Sequence, residues 1–165
     1  MNLIEKVAKD RKWQANLVLK TVGWLKIPML RFIGAKVTLL DDSACEVVVP
    51  LKRATKNHLG SMYFAALAAG ADTAAGLSAV LAMIENKSWI HLSFKNFHAD
   101  FYKRAEGDVR FRCESVGAVK QLVRRAVETK ERVEMVVPVH AYVEKFKEPV
   151  AYFELTLSLK KKSGF

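Results

Sequence analysis

Residues 57–76, NHLGSMYFAALAAGADTAAG, constrain the fold more than any other stretch of this chain. The segment opens with polar, turn-forming residues and passes into a long run of small apolar residues whose one charge is Asp72. Between Met62 and Ile84 there is no proline, and Tyr63 is the other ionisable side chain. Alanine dominates, and alanine is the best helix former. Ser61 has the side chain of a helix N-cap, and Gly60 permits a tight turn ahead of it. The pattern predicts a helix over residues 61–84, apolar on all sides and therefore buried. A carboxylate in the middle of such a helix is costly unless it is paired, solvated or used. The run is long enough to span a bilayer, but it is rich in Ala and Gly, and Asp72 would sit near the bilayer centre at a cost of about 3 kcal/mol. A second bland reading is a buried Asp72 satisfied by backbone or a neighbour, with no chemistry attached.

A chain of 165 residues, 51% of them hydrophobic, suits a single domain over residues 1–165 with a sizeable core. Cys45 and Cys113 are far apart in sequence and form no metal or redox motif, so they read as buried thiols in a reducing compartment. The N-terminus carries charges where a signal peptide would be apolar, which leads us to expect a cytoplasmic protein. The net charge of +10 favours an anionic partner. The basic residues are spread along the chain without a helix-turn-helix, zinc-finger or aromatic RNA-binding signature, so no nucleic acid is expected.

Residues 1–33 read as a helical segment in two pieces, interrupted at Gly23 and Pro28. Its basic, amphipathic character, with Trp13 and Trp24, leaves contact with a membrane surface open beside packing on its own domain. Residues 36–40 and 44–51 form a hairpin about Asp41-Asp42-Ser43, and Pro50 with the basic run 52–56 leads to the central helix. Residues 88–102 form a strand whose inside–outside phase flips near Lys95, the mark of a bulge. Residues 108–116, 131–146 and 150–159 are further strands, and Pro138 argues for an edge or a bulge in the second. Residues 117–130 fit a loop, a helical turn or the start of a strand. Residues 160–165 read as a frayed tail. Strands arranged about one segregated helix indicate an α+β fold with an antiparallel sheet. A helix apolar on all sides must be wrapped by that sheet and covered again, most simply by a second subunit.

This layout resembles that of the hot-dog fold, and the residues carry the resemblance further. Asn57, Gly60, Ser61 and Asp72 stand in register with the motif of hot-dog acyl-CoA thioesterases of the phenylacetate-pathway type: Asn, two residues, Gly, Ser or Thr, one residue, His-Gly-Gly, six residues, Asp or Glu. The run NHLGSMYFAALA resembles a hot-dog branch carrying Asn-His-x-Gly-Ser-Met-Tyr, and residues 101–107 resemble the family's Phe-x-Arg-Pro-Ala-x-Gly turn. Together the likeness covers residues 30–160. Two departures stand out: Tyr63, Phe64 and Ala65 occupy the His-Gly-Gly positions, and Lys103-Arg104 replaces Arg-Pro.

The resemblance implies an acyl-CoA thioesterase with no cofactor beyond the coenzyme A of its substrate; the apolar helix and sheet edge lead us to expect a homodimer, possibly a tetramer, and no metal is assigned. It implies Asp72 as general base or nucleophile, the Ala65 N–H as oxyanion donor, and Asn57 as the group orienting water or carbonyl. Thioester hydrolysis needs an activated water and a stabilised oxyanion, and a carboxylate and a helix N-terminus suit those two tasks. Gly60, Ser61 and Tyr63 surround the substrate position, and Arg53, Lys56 and Lys103 are the candidates for the phosphates of coenzyme A. Asn57 also reads as a plain turn residue, Tyr63 as a packing residue and His58 as a solvent-facing histidine. His91, His98 and His140 lack metal-ligand spacing, and Ser61 lacks the elbow of a serine nucleophile. Competing functions are a non-catalytic acyl or lipid binder on the same fold, an enoyl-CoA hydratase, and a protein of nucleic-acid or membrane surfaces. The hydratase expects a His a few residues after the Asp, and no His follows Asp72 before His91.

Overall fold

The computed structural model describes residues 3–129 and 131–162. Helix α1 spans Leu3–Leu25 and α2 spans Pro28–Ile33. Pro28 sets the break, because its ring suits the first turn of a new helix and forbids continuation of the old one. Gly23, the other expected interruption, lies inside α1. A Cβ there would come within 3.2 Å of the Arg31 backbone nitrogen, so the missing side chain lets α2 fold back closely. Gly34 ends α2 in the left-handed conformation at φ 72°, where glycine meets no Cβ penalty.

Strands β1 (Lys36–Leu40) and β2 (Cys45–Val49) form the expected hairpin, closed by Asp41, whose carboxylate accepts from the Ser43 and Ala44 N–H groups at 2.7 and 2.8 Å. Central helix α3 spans Phe64–Glu85, and β3 (Ile90–Phe101), β4 (Val109–Cys113), α4 (Val116–Thr129), β5 (Arg132–Val143) and β6 (Ala151–Lys161) follow. The ambiguous residues before β5 are thus a helix. Val116, Val119, Leu122, Val123 and Ala126 recur at helical spacing and are buried against α3, β5 and β6. Lys160 and Lys161, expected in a frayed tail, are held in β6 opposite β3. Residues 163–165 of that tail lie outside the described residues.

All strands join one antiparallel sheet in the order β1-β2-β4-β5-β6-β3. The fold is therefore α+β, a six-stranded antiparallel sheet wrapped about one central helix with an N-terminal helical segment, as the hot-dog likeness implies. The phase flip in β3 is a bulge, where the register against β6 shifts between Phe94 and Asn96. Pro138 lies in an interior strand, yet β4 pairs with β5 only as far as Arg112 opposite His140, so the strand is locally an edge at the proline. Cys45 and Cys113, distant in sequence, face each other across β2 and β4 as free, buried thiols. Burial raises both thiols above their ordinary range, so neither is set up as a nucleophile.

Although α3 is long and apolar enough to cross a membrane, most of it is buried inside the domain. Ala71, Ala74, Ala75 and Ala79 are fully buried, and the helix meets β2, β4, β5, β6 and α4. Small side chains allow this approach, most sharply at Gly70, where an added Cβ would sit 2.3 Å from the ring of fully buried Phe111. We expect Gly70→Ala to cost about 1–3 kcal/mol by overpacking. Gly76→Ala, whose Cβ would meet Phe94 at an ordinary 3.7 Å, should be neutral or stabilising by up to about 1 kcal/mol. Urea unfolding of the two variants beside the native chain measures both. Equal effects of the two substitutions would overturn this account of the contact.

Candidate active site

Two recesses flank the long helix. The first lies at its N-terminus, and its shape originates in the loop before it. Buried Thr55 holds that loop: its hydroxyl donates to the Pro50 carbonyl at 2.7 Å and accepts from the Lys52 N–H at 2.9 Å. Asn57 closes the following turn, accepting from the Leu59 and Ser61 N–H groups at 2.9 and 3.2 Å and donating to the Ser61 hydroxyl at 3.1 Å. Gly60 takes φ 78° there, in open space, so conformation alone explains the glycine. The chain then runs extended, with the Met62 N–H on the Ala105 carbonyl at 2.9 Å and the Tyr63 N–H on the Thr55 carbonyl at 2.8 Å.

That clamp moves the helix start. Ser61 is not the N-cap: residues 62 and 63 are held extended on both sides, and the N-cap is Tyr63, without a side-chain cap bond. The Ser61 hydroxyl is engaged with Asn57 instead. Consequently the N–H groups of Phe64 and Ala65 meet no acceptor among the described residues, and no acidic residue stands in the first turn. Two free donors at the positive end of a 22-residue helix dipole form a place for developing negative charge.

An open cavity of about 520 Å³ lies at this helix start, lined there by Phe64 though not by Ala65, and the end of β3 and the turn after it supply its far wall through Phe101, Tyr102 and Arg104. Asn57, Ser61, Tyr63 and Lys103 line it too. Tyr63 and Phe64 are exposed and pack edge to face with ring centroids 4.9 Å apart. Lys103 is tied to Glu148 at 2.9 Å, whereas Arg104, which stands where the related motif has proline, lines the cavity with no ion pair among the described residues. Arg53 and Lys56 are exposed on the preceding loop and do not line this cavity.

The second recess holds Asp72. It is an apolar cavity of about 110 Å³ walled by Val18, Val22, Ile27 and Leu30 of the α1–α2 segment and by Leu92 and Phe94 of β3. Burial pushes the Asp72 carboxyl up from 3.8 to about 6, and among the described residues no hydrogen-bond donor or cation offsets that. The helical spacing of α1 is legible in the sequence, but the meeting of Val18 and Val22 with Asp72 depends on the fold-back at Pro28. Eight residues separate Phe64 from Asp72, roughly 12 Å along the axis, so within one chain the helix start and the carboxylate do not share a reacting atom. Among the described residues no cluster of three His, Cys, Asp or Glu side chains is placed to hold a metal.

The family comparison decides the lineage: residues 15–159 match the family described as a domain of unknown function, DUF4442. This chain belongs to that family. No curated protein matches the chain. Among solved structures, a DUF4442 member such as this one shares its fold with a protein of unknown function from Chlorobaculum tepidum, at TM-score 0.77 and 16% identity over 92% of this chain and 97% of that one. A thioesterase from Haemophilus influenzae superposes at TM-score 0.64 with 15% identity, over 87% and 90% of the two chains. A single-substitution variant of a Pseudomonas aeruginosa thioesterase does so at TM-score 0.65 with 13% identity, over 89% and 94%. The fold is thus the hot-dog fold that solved thioesterases adopt.

The raised carboxyl has a signed consequence for stability. Below the unfolded value near 3.8, Asp72 is neutral in both states. As pH rises through about 6 the folded chain must ionise it among apolar groups, at a cost reaching about 3 kcal/mol. Asp72→Asn should therefore be more stable than the native chain at about pH 8, and the difference should vanish at about pH 4. Urea midpoints at the two pH values measure this, and a gain that persists at the acid end would contradict it.

Proposed function

We propose that this protein hydrolyses an acyl thioester, most simply an acyl-CoA, with Asp72 as general base or nucleophile and the Phe64 and Ala65 N–H groups as oxyanion donors. The observation that carries the reading is that one helix holds both halves of this chemistry unsatisfied, free N–H groups at its start and an unpartnered carboxylate eight residues on. In the base mechanism, Asp72 takes a proton from water as the oxygen attacks the thioester carbon. The carbonyl electrons move onto oxygen, where the two N–H groups receive them, and collapse expels the thiolate, which is then protonated. Asn57 holds the turn that delivers these donors and lines the cavity, where its amide serves as an orienting group for water or carbonyl. Arg104 in the cavity wall, and Arg53 and Lys56 on the exposed loop before the helix, provide positive charge for the phosphates of coenzyme A, while Lys103 is held by Glu148.

The roughly 12 Å between the two groups is closed by a second copy. The half-buried residues of α3 include Ala65, Ala68, Ala69, Asp72 and Met83, which fall on one helical face. Antiparallel pairing of two such helices about Ala68 sets Asp72 of one level with Phe64 of the other, four residues to either side. Small side chains at the crossing allow the close approach. The 12-residue outer strand β3 has one edge unpaired among the described residues, which a partner's β3 extends into a continuous sheet. The active unit is then a homodimer with two composite sites.

A non-catalytic acyl binder is the second reading, favoured by Phe64, whose exposed ring stands at the donors where the related motif has glycine. A panel of acyl-CoA thioesters separates the two, since binding without turnover selects the binder. For the enzyme, Asp72→Asn should lower kcat/KM at least about a hundredfold with the fold intact. The native pH profile should rise through about 6 as Asp72 ionises. Unchanged turnover in the variant would remove Asp72 from the chemistry. Separately, inactive Asn57→Ala and Asp72→Asn chains, unfolded and refolded together, should regain about a quarter of native activity, because about half the dimers are mixed and each keeps one whole site. No recovery despite demonstrated subunit exchange would mean that the groups act within one chain or not together at all.

A further inference from the structure

Helix α1 is apolar on two opposite sides. Ala15 and Leu19 are buried against the domain, with Val18 and Val22 packed beside them. On the other side Trp13, Leu17, Lys20 and Trp24 follow one another at spacings of four, three and four residues, which aligns them in a single outward stripe. Trp13 is 66% exposed and Trp24 63% exposed. The stripe continues around the turn into α2 through Leu25, 73% exposed, and the exposed Ile27, Met29 and Phe32. Among the described residues these side chains stay largely exposed, and an exposed apolar patch of this extent marks a contact surface.

Charge identifies the partner. Residues 11–40 contain Arg11, Lys12, Lys20, Lys26, Arg31 and Lys36 and no acidic residue. Arg11 is neutralised by Asp42 at 2.8 Å, whereas Lys20, Lys26, Arg31 and Lys36 enter no ion pair among the described residues. The Arg31 guanidinium lies 3.4 Å above the Trp24 ring, so one cation is held within the apolar patch itself. A twofold contact of this face with a second copy would set these cations against their own equivalents, which repel. A layer with an apolar interior and an anionic surface satisfies both features together, with the tryptophans at the interface and the lysines at the headgroups.

We propose that the α1–α2 elbow docks this protein peripherally on anionic lipid membranes, with Trp24 and Phe32 entering the headgroup–acyl boundary and Lys20, Lys26 and Arg31 contacting anionic headgroups. The inference stands apart from thioester hydrolysis and holds whether or not Asp72 is catalytic. It also gives the elbow a second surface: Ile27, on the exposed side, lines the Asp72 cavity as well, so docking sets one wall of that cavity against lipid.

The test uses the full chain and unilamellar vesicles of phosphatidylcholine, with and without phosphatidylglycerol. We expect co-sedimentation at least about tenfold stronger on the anionic vesicles, falling as salt is raised. Trp24→Ser combined with Phe32→Ser should reduce it about tenfold or more, as should Lys20→Glu combined with Lys26→Glu, with the mass by light scattering unchanged. Equal binding to both vesicle types, or undiminished binding by both variants, would overturn the proposal. So would a change of mass in the aromatic variant, which would assign the patch to contact between copies, or binding to duplex DNA in place of vesicles. Should the aromatic variant fold poorly, Trp89→Phe protein leaves Trp13 and Trp24 as the only tryptophans. Brominated lipid in anionic vesicles should quench their emission, and no quenching would overturn the docking.

Discussion

The packing of α3 on the concave face of the sheet is the contact on which the other features depend. It is made by residues with almost no side chain. At Gly70 the Phe111 ring lies directly on the helix backbone, and Ala71, Ala74, Ala75 and Ala79 keep the rest of the helix equally close. A helix of larger side chains would stand farther from the sheet, and the strands could not curl around it at the same radius. Such packing gains less from transfer of large apolar groups than a leucine-rich core does, and more from close dispersion contact along a long interface.

The same choice sets the electrostatics. Neither the small side chains of α3 nor the apolar wall from α1, α2 and β3 can neutralise a charge, so desolvation of Asp72 goes uncompensated and its carboxyl is held up to about 6. At the head of the helix, the start is fixed by the Thr55 and Ala105 carbonyls, and the Phe64 and Ala65 N–H groups remain without acceptors. A fold that held neither charge nor donors for use would more simply place a serine or aspartate cap on the helix and an alanine at position 72.

The composition of residues 62–84 is enough to read the helix, its burial and the anomaly of Asp72, because a long alanine run with one carboxylate has few physical solutions. The strand boundaries and the β3 bulge follow from alternation and its reversal. Three things are out of reach of local pattern. Ser61 looks like a cap because its side chain suits one, but long-range bonds to Thr55 and Ala105 decide where the helix begins. Helix α4 is ambiguous because its five buried residues sit among charged ones and its partners lie in distant strands. The convergence of Val18, Val22 and Leu30 on Asp72, and of Arg104 on the helix start, depends on tertiary folding that no spacing encodes.

The bridge between Lys56 and Met62, with the Met62 N–H on Ala105, has a consequence for which substitutions the helix head can take. The two donors at the head of α3 belong to the backbone, and the bonds that aim them are backbone bonds on both sides. Side chains at positions 63, 64 and 65 can therefore change in size and polarity while the donors stay where they are. Replacement of a His-Gly-Gly triplet by Tyr-Phe-Ala alters what can approach the helix head and leaves its hydrogen-bonding direction intact. Access to the helix head and the direction of its two N–H groups are in this way set separately, the first by side chains and the second by a main-chain clamp that only a change of topology would undo.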